Sequence, residues 1–129
     1  MLSPLVSVIV RTRDRPALLR EALASLRRQT FRDFETLVVA DGGTAPAESV
    51  LGTTPGEGGL ALLHRSPPHG RARALNAGLD AARGRFIAFL DSDDRWLPDK
   101  LERQLPLAAD GRTVVACGWR YIRDGVRDS

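Results

Sequence analysis

The chain has 129 residues, enough for one folded domain with its own core and too few for two. Hydrophobic residues make up 43% and charged residues 27%, which excludes a disordered or fibrous protein, and neither a secretory signal nor a membrane-length apolar run is present. For lack of either, we expect a cytoplasmic protein, free or peripheral to the inner face of the membrane. The net charge is +3, but the basic residues are scattered among acidic ones, which argues against nucleic-acid binding.

The first part of the chain alternates between strand and helix patterns. A continuous β-branched run predicts a buried strand over 6–10. A helix follows, with Asp14 as its cap, Pro16 in its first turn and an apolar stripe over 18–26. A second short apolar run predicts a strand over 36–40.

The middle of the chain repeats this alternation. Residues 52–59 are rich in Gly, Thr and Pro and are expected to form a surface loop. A third strand is predicted over 60–63 and a fourth over 86–90. Between them, apolar residues spaced by three or four predict a helix over 72–83 that ends at Gly84.

The last part of the chain predicts one more helix and one more strand. The helix covers about 97–105, with Pro98 in its first turn and Pro106 at its end. The run 113–117 has the composition of a fifth strand. Cys117 is the only cysteine, which excludes an internal disulfide, and we expect it to be an inert core thiol.

Strands separated by helices predict an α/β fold with a mostly parallel sheet and helices on both faces. In open sheets of this kind, ligands bind beyond the carboxyl ends of the strands. The segments that follow the strands are therefore the first place to look for a functional site.

An acidic cluster follows the predicted fourth strand: Asp91, Ser92, Asp93 and Asp94. Three carboxylates in four residues repel one another, and a hard divalent cation makes such crowding favourable. Mg²⁺ or Mn²⁺ held in this way also keeps coordination sites open for diphosphate oxygens. The alternative is that Asp93 or Asp94 only caps the helix near Pro98.

Asp41 ends the second strand and precedes two glycines. A carboxylate at this place can accept hydrogen bonds from a ribose or a base, and the glycines let a ligand approach the backbone. A local turn stabilised by the Asp41 side chain is an equally good interpretation of the pattern.

Arginines occur at two further places where a nucleotide could bind. Arg11, Thr12 and Arg13 follow the first strand, where Arg13 either stacks on a base or is a solvated loop residue. Arg71 and Arg73 begin a helix, where positive charge opposes the helix dipole and is easier to understand beside a bound anion such as a diphosphate.

Asn76 and Gly78 lie inside the same predicted helix despite their poor helix propensity. They indicate close packing, a polar contact or simple tolerance of these residues. His64 and His69 have no metal-ligand spacing and are assigned no role.

Taken together, these segments resemble the family-2 inverting glycosyltransferases of the GT-A fold. The resemblance covers residues from 6 to about 105. It depends on an ordered set of motifs, which lie at 6–10, 25–31, 34–35, 38–43, 76–78, 84 and 89–94, with Pro98 after them. Each motif is common, but the ordered set is specific.

The resemblance implies a nucleotide-sugar donor, a glycan or lipid-linked acceptor and a place in cell-wall or polysaccharide synthesis. The donor is expected to be linked to UDP, with Mg²⁺ or Mn²⁺ bridging its two phosphates. The implied donor site comprises Arg11, Thr12, Arg13, Asp41, Arg71, Arg73, Asn76, Asp91, Ser92 and Asp93, with Asp91, Asp93 and Asp94 as metal ligands.

The sequence also departs from the family pattern. Residues 11–14 replace a usual proline, threonine, tyrosine and asparagine, which puts base stacking in doubt. Ala40 replaces the first of two aspartates. Leu75 replaces an arginine, which leaves the diphosphate role to Arg71 or Arg73.

In this family the acceptor region and the general base follow the acidic motif at some distance. Asp110, Asp124 and Asp128 read as turn and tail residues, so no general base can be named. We therefore expect residues 1–129 to be a single donor-binding domain that lacks the acceptor half and is inactive alone. The alternative is a non-catalytic nucleotide-binding or assembly module that associates with itself through an exposed sheet edge.

Overall fold

A parallel sheet forms the centre of the molecule. The computed structural model describes residues 3–118 and the backbone of residues 122–123 and 126–127. Four parallel strands lie in the order β3-β2-β1-β4. Their bounds are β1 Val6–Thr12, β2 Phe34–Asp41, β3 Leu60–Arg65 and β4 Phe86–Asp91. Two further strands, β5 Ile122–Arg123 and β6 Val126–Arg127, form a separate antiparallel pair.

Three helices connect the strands of the parallel sheet: α1 Pro16–Arg27, α2 Glu48–Leu51 and α3 Arg71–Ala81. Helix α4 Lys100–Gln104 and a 3₁₀ turn at Leu105–Ala108 follow β4. The parallel α/β fold and its four main strands are as predicted, whereas the short helix α2 was not predicted. Within the described residues, every helix is too short or too polar to cross a membrane.

Both faces of the sheet are covered, which explains the continuous apolar strands. On one face, Val8 and Val10 pack in a fully buried cluster with Leu19 and Leu23 of α1. On the other face, Ile9 packs with Leu37, Val39 and Ala74 of α3. Each leucine buried in this way contributes about 2 kcal/mol, so the α1 stripe fixes that helix on the sheet.

Helix α3 comes close to the sheet because it contains Gly78. A Cβ atom at this position would lie 2.7 Å from Cγ2 of Ile9, which is closer than atoms can pack. Of the interpretations offered for Gly78, close packing is therefore the correct one. The contact sets the distance of α3 from β1.

The predicted strand over 113–117 is wrong, because these residues have no regular structure. Asp110 accepts hydrogen bonds from the backbone N–H groups of Arg112 and Thr113 and from the Thr113 hydroxyl, so the chain turns here. The side chain of Val114 is 94% exposed. An apolar run forms a strand only where a partner strand or a core is available.

The expected burial of Cys117 is also wrong. Cys117 is exposed, and the Lys100 ammonium group donates to its sulfur at 3.0 Å. Asp110 is the turn residue that the sequence predicted, whereas Asp124 and Asp128 lie outside the described residues.

Four predicted helix ends differ from the structure. Arg15, not Asp14, is the N-cap of α1, and no side chain caps it. Helix α3 has its C-cap at Ala82, ahead of Gly84. The last helix starts at Lys100, after Pro98, and continues as a 3₁₀ turn beyond Pro106.

Candidate functional site

The carboxyl ends of the strands bring the predicted site residues to one edge of the sheet. In the parallel register, Arg11 of β1 lies beside Asp91 of β4, and Asp41 of β2 lies beside Arg65 of β3. The backbone N–H of Ser92 donates to the carbonyl of Arg11 at 3.2 Å, which continues the pairing beyond β4. Residues far apart in sequence therefore meet at a single edge.

A tight turn gathers the acidic cluster. The backbone N–H of Asp94 donates to the carbonyl of Asp91 at 3.0 Å, and Ser92 is buried within this turn. Carboxylate oxygens of Asp91, Asp93 and Asp94 all lie within 4.8 Å of one another. Partial burial and the neighbouring charges of Asp93 and Asp91 raise the pKa of Asp94. The cluster is thus a concentrated negative site.

The alternative role for these aspartates, helix capping, is wrong. Helix α4 has Asp99 as its N-cap, and no side chain makes a capping hydrogen bond there. The carboxylates of Asp93 and Asp94 are therefore not used by the helix.

The geometry of the cluster fits a divalent cation. Oxygen ligands on opposite sides of Mg²⁺ are about 4 Å apart, because each lies about 2.1 Å from the ion. One oxygen of each carboxylate lies within 4.8 Å of the other two, and the exposed Asp93 and Asp94 side chains can close the remaining distance by rotation. Three hard oxygen donors are also the ligand type that Mg²⁺ and Mn²⁺ prefer.

Two arginines contact the acidic cluster. Nη2 of Arg71 lies 3.3 Å from Oδ2 of Asp91, and Nη1 of Arg15 lies 3.4 Å from Oδ2 of Asp93. The sequence had singled out Arg71 but missed Arg15. The available signal was a basic residue at a helix amino terminus, where positive charge opposes the helix dipole, and the same signal selected Arg71.

Asp41 anchors the loop that leads into α3. Its two carboxylate oxygens accept hydrogen bonds from the backbone N–H groups of His69, at 2.9 Å, and Gly70, at 3.0 Å. The His69 bond, together with the Gly70 bond and nearby positive charge, lowers the pKa of this buried carboxyl group. Its main partners are 28 and 29 residues away, so Asp41 is not a local turn residue.

Unused hydrogen-bonding capacity remains at the ends of β1 and β3. In the part of the chain that the structure describes, Nε of Arg11, Oγ1 of Thr12 and Nε of Arg65 are buried and lack a hydrogen-bond partner. Such atoms are costly unless a ligand or water satisfies them. Arg65 also lines an open pocket of about 500 Å³ together with Ser66 and His69.

The remaining predicted residues are exposed. Arg13 lies in the loop after β1, and Arg73 lies in the first turn of α3. Asn76 is two positions from both Ala74 and Gly78, the buried residues of α3, so the helix turns it away from the sheet. The roles of these three residues in ligand binding stay predictions.

The two histidines contact backbone or carboxylate groups of neighbouring loops. Nε2 of His64 lies 3.1 Å from the carbonyl oxygen of Gly43, and His69 contacts Asp41 through its backbone. Among the described residues, the group of possible metal ligands consists of Asp91, Asp93 and Asp94 and includes neither histidine.

Residues 7–129 match the sequence model of glycosyl transferase family 2. The chain belongs to this family. The match covers nearly the whole chain, and it confirms the resemblance that the ordered motifs indicated.

Curated relatives of this family 2 chain are longer. The succinoglycan biosynthesis protein ExoW of Rhizobium meliloti is 41% identical over 127 residues, which are 96% of this chain and 39% of ExoW. EpsH of Bacillus subtilis is 33% identical over 120 residues, which are 92% of this chain and 35% of EpsH. The chain thus spans well under half the length of these relatives.

Solved structures share the fold and contain ligands. The mannosyltransferase PcManGT of Pyrobaculum calidifontis, in complex with GDP-Man and Mn²⁺, is 29% identical, with a TM-score of 0.74 over 85% of this chain and 34% of its own. TarS 1-349 of S. aureus, in complex with UDP-GlcNAc, is 26% identical, with a TM-score of 0.69 over 81% of this chain and 31% of its own. The GT-A-like fold is therefore established.

Proposed function

We propose that this chain binds a nucleotide diphosphate sugar together with Mg²⁺ or Mn²⁺, as the donor-binding part of a glycosyltransferase. The observation that carries the proposal is the acidic cluster at the carboxyl end of β4, held beside Arg11 and close to the start of α3. The Mn²⁺ and GDP-Man in the related PcManGT structure support it.

Asp91, Asp93 and Asp94 would hold the cation, which when bound neutralises the charge of the leaving nucleoside diphosphate. Arg71 and Arg73, in the first turn of α3, would bind the phosphates, because their guanidinium groups suit phosphate oxygens and the helix dipole favours an anion there.

The end of β1 would contact the nucleoside. The buried Arg11 Nε and Thr12 Oγ1 have hydrogen bonds to give, and Asp41 fixes the loop before α3 against β2. Each Asp41 oxygen keeps a second lone pair, so its carboxylate can also accept a bond from a ribose or base. Asn76 and Ser92 belong to the proposed site by resemblance only.

We propose uridine as the base, by the resemblance and by the UDP-GlcNAc in the TarS structure. The related PcManGT structure contains GDP-Man, in which the base is guanine. Calorimetric titration of the chain with UDP and with GDP, each in the presence of Mn²⁺, distinguishes the two. Tighter binding of GDP would overturn the uridine assignment while leaving the donor site intact.

The acceptor is proposed to be a growing glycan or a lipid-linked sugar, which the name of ExoW, a succinoglycan biosynthesis protein, supports. An inverting transfer needs a base that takes a proton from the acceptor hydroxyl. The carboxylates of the acidic cluster are assigned to the cation, and we assign the base to none of the described residues. We therefore propose that the chain binds the donor without completing catalysis. Turnover of a UDP-sugar by the isolated chain would contradict this.

Ligand-dependent stability tests the donor site directly. UDP with Mn²⁺ at about a hundred times its Kd should stabilise the fold by about 2.7 kcal/mol, which is several degrees in Tm. Asp93→Ala should abolish this rise, whereas Asp80→Ala, which removes an exposed acid of α3 outside the cluster, should keep it. Indifference of the unmodified chain to both ligands would refute the proposed function.

A second candidate function is self-association through the outer strand β4. Within the described residues β4 is an edge strand, and its Phe89 side chain is 53% exposed. A second copy pairing along this strand would cover Phe89 and Ile87. Light scattering that gives the mass of a dimer, and of a monomer for Phe89→Lys, would support this function, and a monomer for the unmodified chain would exclude it.

A further inference from the structure

Two arginines neutralise the acidic cluster from opposite sides of the sheet edge. Arg15 enters from the loop between β1 and α1 and contacts Asp93. Arg71 enters from the start of α3 and contacts Asp91. Each contact is a single one, at 3.4 Å and 3.3 Å, between side chains that are at least one third exposed. Exposed ion pairs of this kind are weak and easily exchanged.

Neither arginine occupies a place that its own helix favours. Arg15 is the N-cap of α1 and Arg71 is the first residue of α3, and neither helix has an acidic residue in its first turn. Positive charge at a helix amino terminus opposes the dipole. The same two places, each with free N–H groups and a guanidinium, are suited to an anion.

A hydrogen bond fixes the backbone beside Arg15, whereas the Arg15 side chain is 56% exposed. Asp14 has a φ of 47°, and its carboxylate accepts a hydrogen bond from the backbone N–H of Thr44 at 2.9 Å. This bond ties the loop before α1 to the segment after β2. The fixed backbone therefore keeps the Arg15 guanidinium near the acidic cluster.

We propose that Arg15 and Arg71 are exchangeable counterions, which hold Asp93 and Asp91 in the absence of a cation and pass to the donor's diphosphate when the cation binds. The inference rests on the proposed donor site and adds Arg15 to it as a diphosphate-binding residue. Before binding, each guanidinium competes with the cation for a carboxylate. After binding, each is freed beside the phosphates that the cation also contacts.

This exchange predicts effects of opposite sign for the two ligands. Arg15→Gln should tighten binding of Mn²⁺ alone by about threefold to fivefold, because the cation no longer displaces a guanidinium. The same variant should weaken binding of UDP at saturating Mn²⁺ by about tenfold, because one charged phosphate contact is lost. A residue that only supports the fold would not produce this reversal.

The measurement uses the full 129-residue chain. Free Mn²⁺ is followed by electron paramagnetic resonance during titration with the metal alone, and UDP binding is then measured by calorimetry at saturating Mn²⁺. Arg95→Gln is the matched control, because it removes the same charge next to the cluster while Arg95 pairs with Glu21 instead. It should change both affinities much less than Arg15→Gln.

The outcomes separate this inference from the function on which it rests. Unmodified chain that binds neither Mn²⁺ nor UDP overturns both. Normal binding by the unmodified chain, with Mn²⁺ affinity unchanged or weakened in Arg15→Gln, or with equal effects in Arg95→Gln, overturns only the exchange. Tighter Mn²⁺ binding and weaker UDP binding in Arg15→Gln, but not in Arg95→Gln, would support the exchange.

Discussion

The Ser7 hydroxyl donates a hydrogen bond of 2.6 Å to Oε1 of Glu35, and both residues are buried between β1 and β2. Glu35 also accepts bonds from the backbone and the guanidinium of Arg83, at 2.7 Å and 2.9 Å. The Ser7 oxygen in turn accepts a bond from the N–H of Gly84 at 2.8 Å. One buried carboxylate thus links the turn between α3 and β4 to the first two strands. This network lies at the amino ends of the strands, whereas the candidate site lies at their carboxyl ends.

Glu35→Gln should destabilise the fold by about 2 kcal/mol. The variant keeps the shape of the side chain but loses the charge that strengthens three hydrogen bonds, and it leaves buried partners poorly satisfied. Chemical denaturation measures the change in the free energy of unfolding. Glu57→Gln, at an exposed position, is the control and should change it by less than about 0.5 kcal/mol. Equal stability of the two variants would show that the buried network contributes little.

Stability should fall in acid, and Glu35 should account for part of the fall. Burial alone would raise the pKa of Glu35, but hydrogen bonds from Ser7 and Arg83 reverse this and lower the pKa below its usual value. Glu35 therefore contributes its full share to the free energy of unfolding above about pH 4.3, the pKa of a glutamate in the unfolded chain. This share is lost as the pH falls below that value. Asp41, whose pKa is also lowered, acts in the same direction near pH 4 and below.

Denaturation curves between about pH 6 and pH 3 test this assignment. The unmodified chain should lose stability steadily over the acid part of this range, whereas Glu35→Gln should show a shallower dependence on pH. Parallel curves for the two proteins would mean that Glu35 has the same pKa in the folded and unfolded chain.

Local pattern was enough to predict the sheet. The apolar runs at 6–10 and 86–90 grew by only one or two residues in the structure, to Val6–Thr12 and Phe86–Asp91. Parallel topology then required that the ends of these strands meet, so the edge that carries the acidic cluster was also predictable. The run at 113–117 has a similar composition, but in the described residues it lies against no strand.

Contacts between distant loops were not predictable. Asp14 has the sequence signature of a helix cap, yet it bonds Thr44, which is 30 residues away. Arg15 contacts Asp93 across 78 residues. These pairings depend on where the loops lie after the sheet has formed, and a single sequence contains no local signal for which partner each residue contacts.

Gly78→Ala should destabilise the chain although alanine is the better helix former. The added Cβ would lie 2.7 Å from Cγ2 of Ile9, and relieving this overlap costs about 2 kcal/mol, more than the gain of about 1 kcal/mol in helix propensity. Asp80→Ala, at an exposed position two residues later, gains propensity without a clash and should be neutral or slightly stabilising. Thermal unfolding of both variants decides the matter, and a stable Gly78→Ala would mean that α3 can move away from β1 at little cost.

Asp94→Asn should make the chain more stable without a cation and less responsive to one. Asp94 lies close to the carboxylates of Asp91 and Asp93, and removing one of three like charges relieves repulsion of a few tenths to about 1 kcal/mol at these partly solvated positions. The neutral amide is a weaker ligand, so the rise in Tm on adding Mn²⁺ should shrink. Asp80→Asn, outside the cluster, should change neither quantity. A loss of stability in metal-free Asp94→Asn would show that the turn needs this charge for its own structure, because relief of repulsion would then be outweighed by a lost local contact.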